Sequence, residues 1–146
     1  MLFRSKANLH VWWFNAPRVK GQRKVILQFH GNAQNMSTHA VSLLWVLKQG
    51  YDLVTFDYRG YGKSTGMPYQ EGLVMDGRVM IDFVYHHLDP EKVELILWGQ
   101  SLGANIALRS LEDSMDRVPV ARLVLEAGFW SYKKVAVRTL AKSWIT

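Results

Sequence analysis

Cysteine is absent from the 146 residues. That removes disulfides, zinc–thiolate sites and cysteine nucleophiles from consideration, and it leaves the compartment open. Long apolar runs are missing too. The longest, such as Leu95-Ile96-Leu97-Trp98, have the length of a buried strand and fall well short of the roughly 18–20 residues of a membrane span. Residues 1–6 (MLFRSK) lack the apolar stretch of a secretory leader. On these residues alone the expectation is a cytoplasmic chain, with any anchor or leader ahead of Met1 left open. Metal-ligand spacing is likewise wanting among His10, His30, His39, His86 and His87, and the His86-His87 pair reads as the polar end of a helix.

What is present is an ordinary globular composition, 49% hydrophobic and 21% charged, long enough for one domain with a sizeable core. The net charge of +6 raises the question of nucleic acid. The densest basic cluster, Arg18, Lys20, Arg23 and Lys24, precedes a strand and reads as a solvated connection. Lys134, Arg138 and Lys142 recur every four residues, as on a wet helix face. No aromatic-interleaved basic motif accompanies them, so no nucleic-acid partner is expected.

Strand and helix patterns alternate along the chain. Strands are predicted over 9–14, 25–29, 53–56, 93–98 and 120–125. Helices are predicted over 37–49, 69–88, 101–111 and 131–144. In the first of these, Ala40, Val41, Leu44, Trp45 and Leu47 form the apolar face and Gly50 is the C-cap. Gly72 and Gly77 weaken the second, and Pro90 ends it. Strands apolar on both faces and separated by helices imply a mainly parallel sheet flanked by helices on both faces, an α/β fold in a single domain.

One pentapeptide carries chemistry: Gly99-Gln100-Ser101-Leu102-Gly103. G-x-S-x-G is a modest signal alone, but here a strand ends just before Gly99 and an alanine-rich helix begins just after Ser101. That is the strand–turn–helix of a nucleophile elbow, in which Gly99 and Gly103 remove Cβ atoms that would collide in the turn. Ser101 Oγ needs a histidine to take its proton, and the oxygen of the attacked carbonyl needs donors. The N–H of Leu102 is one. The other is expected from Asn32 in His30-Gly31-Asn32-Ala33, directly after strand 25–29, where Gly31 lets the backbone approach substrate. Two decoys follow strand 53–56. Gly62-Lys63-Ser64 looks like the end of a P-loop, but the required first glycine is Asp57. A dinucleotide fingerprint from Gly60 meets Thr65 where glycine is needed. Asp57, Arg59 and Tyr61 read as polar anchors of a tight loop.

The runs HGNAQN, FDYRGYGKSTG, GQSLGANIA and LEAGFWS, in that order and spacing, resemble the α/β-hydrolase superfamily. More narrowly they resemble its Bem46-like branch, grouped with prolyl-oligopeptidase-type serine hydrolases. The resemblance runs over residues 9–133. It implies the α/β-hydrolase fold and hydrolysis of an ester, thioester or amide of a small-molecule or acylated substrate through a Ser-His-Asp triad, without a cofactor. By position, Ser101 is the nucleophile, and Leu102 and Asn32 supply the oxyanion donors. The superfamily places its acid and then its histidine after the serine. Here no histidine follows Ser101, and of the later acids (Glu112, Asp113, Asp116, Glu126) only Glu126, at a strand end, suits the acid role. The expectation is an apparently truncated core, catalytically incomplete by itself, with an exposed sheet edge prone to self-association. Membrane association is left open for a longer form. The alternatives are a non-catalytic binding domain of the same fold and an acyltransferase using the same serine. Phe129, Trp130 and Tyr58 hint at an apolar acyl group or else belong to the core.

Overall fold

Short runs rich in valine, isoleucine, leucine and phenylalanine alternate with polar loops, and five of them pair edge to edge. The computed structural model describes residues 7–17, 21–33, 35–88 and 93–128. Its strands are β1 (Val11–Phe14), β2 (Arg23–Phe29), β3 (Tyr51–Phe56), β4 (Val93–Gln100) and β5 (Val120–Glu126). They form one sheet in the order β1-β3-β2-β4-β5. Only β1 runs antiparallel to its neighbour. This is the mainly parallel sheet that the alternating pattern implies.

Register decides which side chains reach which face. Ile26 lies opposite Leu53 and Ile96, while Leu27 lies opposite Val54 and Leu97. Side chains alternate along a strand, so these two rows point to opposite faces. Val25, Leu27, Phe29, Val54, Phe56, Leu95 and Leu97 pack with α2 (Gln70–His87) and α3 (Leu102–Glu112). Ile26, Leu53 and Ile96 pack with Leu43 and Val46 on the other face. Each such side chain contributes about 1.5–3 kcal/mol on burial. Among the described residues, helical segments therefore cover both faces, one heavily and one thinly.

The thin side departs from expectation. A five-residue α1 (Met36–Ala40) tightens into a 3₁₀ segment over Val41–Gln49. The buried residues are Ala40, Leu43 and Val46, spaced by three, which is the 3₁₀ repeat. Val41, Leu44 and Trp45, expected on the apolar face, point outward, with Val41 67% and Trp45 55% exposed. Gly50 does close the segment, in left-handed conformation with φ of 81°. The expected helix over 131–144 lies outside the described residues, as do Arg18, Lys20, Pro90, Phe129 and Trp130.

Candidate active site

β4 runs straight into α3, and the junction leaves Ser101 with φ of 52° and ψ of −113°. A non-glycine residue there is strained by about 1–3 kcal/mol and persists only where its surroundings hold it. Two contacts do so: the Ser101 N–H donates to the Glu126 carbonyl at 2.8 Å, and the Ser101 carbonyl accepts from Ala104 N–H at 3.1 Å. The flanking glycines are needed for space. A Cβ on Gly99 would stand 2.6 Å from the Ala104 Cα, and one on Gly103 would run into the Phe29 carbonyl. The strand–turn–helix read from the sequence is therefore present, with α3 pressed onto the end of β2. Leu102 opens α3, so its N–H belongs to the turn where no helix carbonyl is available and the helix dipole is positive.

The loop after β2 comes to the same edge. His30 is fully buried, and its Nδ1 lies 2.8 Å from the Gly31 carbonyl oxygen. A carbonyl can only accept, so that nitrogen carries the proton. Burial pulls the His30 pKa from 6.5 to about 4, against the pull of the Gly31 bond and Asp57; the neighbouring His39 lowers it further. The ring is neutral at pH 7. The bond matters because the Gly31 carbonyl and the Asn32 N–H share one trans peptide plane and point in opposite directions. With the carbonyl drawn inward to His30, the Asn32 N–H faces outward. The Asn32 side chain is fixed separately, its Oδ1 accepting from the Tyr61 hydroxyl at 2.7 Å. Burial raises the Tyr61 pKa, which keeps that hydroxyl a donor. Asn32 and Leu102 line one shallow pocket of about 240 Å³ with Tyr61, Pro68, Tyr69, Gln70 and Leu73.

The turn after β3 supports this loop. Asp57 accepts from Met36 N–H at 2.8 Å and from Lys63 N–H at 3.3 Å, and its carbonyl accepts from the Ser64 hydroxyl at 2.6 Å. His10 Nδ1 and His30 Nε2 flank it at 3.6 and 3.7 Å. Arg59 is locked to the buried Asp76 at 2.7 Å and accepts the Tyr69 ring beneath its guanidinium at 4.9 Å. Its hydrogen bonds to Asp76 hold the Arg59 pKa above its ordinary value. Asp57 and Arg59 thus anchor the loop, as their sequence setting suggested.

Glu126, the candidate acid of the sequence, lies at the end of β5. Its carboxylate meets Trp98 Nε1 at 3.4 Å and Gln100 Nε2 at 3.5 Å, and its backbone carbonyl holds the elbow. Ala127, the next residue, is the second non-glycine with positive φ, at 51°. The sequence reading gave no role to Ala127 or to His39, whose ring nitrogens face Ala33 and Gln100. His39 had no local signal for its bridging contact, since Gln100 lies 61 residues away in the chain. Among the described residues no group of three or more histidines and acids could hold a metal ion, and no helix is long and apolar enough to cross a membrane.

Comparison with known proteins points the same way. Residues 20–146 match the family model described as Hydrolase_4, serine aminopeptidase, S33. The Bem46 protein of Schizosaccharomyces pombe is 34% identical over 113 residues, covering 76% of this chain and 37% of its own length. The lysophosphatidylserine lipase ABHD12 of Danio rerio is 37% identical over 115 residues, covering 77% of this chain and 30% of its own. In fold, the Pyrococcus furiosus esterase Pf2001 superposes with a TM-score of 0.78 at 23% identity, over 98% of this chain and 54% of that one. The chain spans about half the length, or less, of the curated relatives it matches. With the strand–turn–helix at Ser101, the loop after β2 and these matches together, the chain belongs to the Hydrolase_4 family, in the Bem46-like branch of the α/β-hydrolases.

Proposed function

We propose that these residues form the nucleophile and oxyanion half of a serine hydrolase that cleaves a carboxylic ester, thioester or amide through an acyl-enzyme on Ser101. The observation that carries this reading is the strained Ser101 at the head of α3, with φ of 52°. Nothing in the packing of a plain strand–helix corner requires a serine in that conformation.

The steps follow from the residues. Ser101 Oγ adds to the carbonyl carbon as its proton leaves to a base. The carbonyl oxygen becomes negative and is met by the N–H groups of Asn32 and Leu102. Collapse expels the alcohol, thiol or amine and leaves the acyl group on Ser101, and water reverses the sequence. The described histidines nearest the site are engaged elsewhere: His30 with Gly31, and His39 with Ala33 and Gln100. No histidine follows Ser101 in the sequence. The reading therefore assigns the base to neither His30 nor His39 and keeps Glu126 as the candidate acid.

The pocket beside the donors supports an apolar acyl group. Among the described residues its walls are tyrosines, leucines, a proline and two neutral amides, with no charged side chain. As bounded by the described residues it holds about 240 Å³, below the ~300–1,000 Å³ of pockets for drug-sized ligands, and we read it as room for a short chain. The Danio rerio relative is named a lysophosphatidylserine lipase, which supports an ester substrate. The test is turnover of p-nitrophenyl acetate, butyrate and laurate by the protein at its natural length. We expect activity on the two short esters, lost in Ser101→Ala. Equal turnover by that variant would refute the reading.

A further inference from the structure

We propose that His39 is a positioning residue that ties the oxyanion loop to the nucleophile elbow, an inference that rests on the serine-hydrolase reading. The His39 ring touches both pieces at once. Its Nε2 lies 2.7 Å from the Ala33 carbonyl of the loop. Its Nδ1 lies 3.0 Å from Oε1 of Gln100, the residue before the nucleophile. Its flat face stacks on His30, with centroids 5.5 Å apart and planes 22° apart. Its Cε1 closes over Gly31, where a Cβ would come within 3.3 Å.

The ring is held from behind as well. The buried Gln28 of β2 donates from Nε2 to the His39 carbonyl at 3.0 Å, fixing the backbone that carries the imidazole. The Gln100 amide has its orientation set at its far end. Its Nε2 faces a Glu126 carboxylate oxygen, which can only accept, so Oε1 is the end that meets His39. Glu126, Gln100, His39 and Ala33 thus form a polar chain from the end of β5 to the oxyanion loop. A neutral imidazole serves one of the two oxygens as donor, and the imidazolium serves both. In either form the ring is the only side chain described that bridges Ala33 and Gln100.

The consequence is geometric. The Asn32 donor sits on the loop and the Leu102 donor on α3. Their separation must match one oxygen atom, and small misplacements of such groups cost rate. His39 joins the two sides without touching substrate.

The experiment pairs two readouts on the protein at its natural length: hydrogen exchange by mass spectrometry over residues 30–35 and 99–103, and the rate of Ser101 phosphonylation by a fluorophosphonate. His39→Ala should speed exchange in both segments about tenfold. It should slow phosphonylation about tenfold, less than the ~10²–10³ that outright loss of an oxyanion donor costs. The loss should fall on the maximal rate and spare the half-saturating concentration, because the donors meet the oxygen only as charge develops. Gln100→Met removes one acceptor at similar length, so it should act in the same direction more weakly, and it serves if His39→Ala does not fold. The double variant should be little worse than His39→Ala alone, since the His39–Gln100 bond is already gone and only the long Gln100–Glu126 contact is lost in addition. Unchanged exchange in both single variants, or effects that add, would overturn the proposal. A wild-type Ser101 inert to the probe refutes the hydrolase reading instead, and exchange still decides the clamp.

Discussion

β3 carries one buried aspartate near its start and another just past its end, Asp52 at 4% and Asp57 at 2% exposure. Their partners differ in kind. Asp52 takes the Arg23 guanidinium at 2.6 Å, together with Trp13 Nε1 at 3.3 Å and Ala16 N–H at 2.8 Å. It meets a cation and ties β1 and β2 to β3. Asp57 takes backbone N–H groups from α1 and from the following turn, with two histidines beside it. The first aspartate closes the amino edge of the sheet. The second orders the loops that crowd the carboxyl edge, where parallel α/β sheets carry their sites. A mutation at one edge should therefore cost stability alone, and at the other should cost stability and chemistry together.

The largest expected effect is at the carboxyl edge. Asp57→Ala leaves the Met36 and Lys63 N–H groups without their acceptor and should lower unfolding free energy by about 3 kcal/mol. Denaturant melts measure this, and the Ser101 phosphonylation rate should fall with it. A comparable loss of stability with an unchanged rate would erase the distinction between the edges.

Next in size is a pH effect from His30. Its folded pKa of about 4 lies below the ordinary 6.5, so between these values the unfolded chain binds more protons. Stability from this group is complete above pH 6.5, declines as pH falls toward 4, and is level below that. The full span is roughly 3 kcal/mol. Melts of wild type and His30→Gln across pH 7 to 4 should converge as the pH drops. Parallel curves would show that His30 is not held neutral.

At the amino edge, Asp52→Asn should cost about 1–2 kcal/mol, since Arg23 is half exposed and keeps its solvation. Phosphonylation of Ser101 should be unaffected. The smallest expected effect has the opposite sign: Ser101→Gly relieves the positive φ and should raise stability by about 1 kcal/mol. A destabilised glycine variant would mean the elbow is not strained.

The elbow and sheet were legible because their signals are local. Apolar runs mark strands, and Gly99, Ser101 and Gly103 mark a turn that a strand and a helix must flank. Gly77, which weakens the helix pattern, has a reason that only packing supplies: a Cβ there would strike Ser110 of α3 and stand 2.9 Å from Phe29. The 3₁₀ segment misled because Val41, Leu44 and Trp45 fit a 3.6-residue repeat, whereas burial selected Ala40, Leu43 and Val46. The side-chain environment of Glu126 and the bridge at His39 depend on strand ends meeting across the sheet. His39 is 61 residues from Gln100 in the chain, and spacing carries no trace of such a contact.

The central claim is that Ser101 is a nucleophile and not merely a serine in a tight corner. Incubating the protein at its natural length with a fluorophosphonate, then mapping the modified peptide, tests it directly. The account expects a single stoichiometric adduct on Ser101, absent after heat denaturation and absent in Ser101→Ala. An adduct elsewhere, or none on a folded protein, would contradict it.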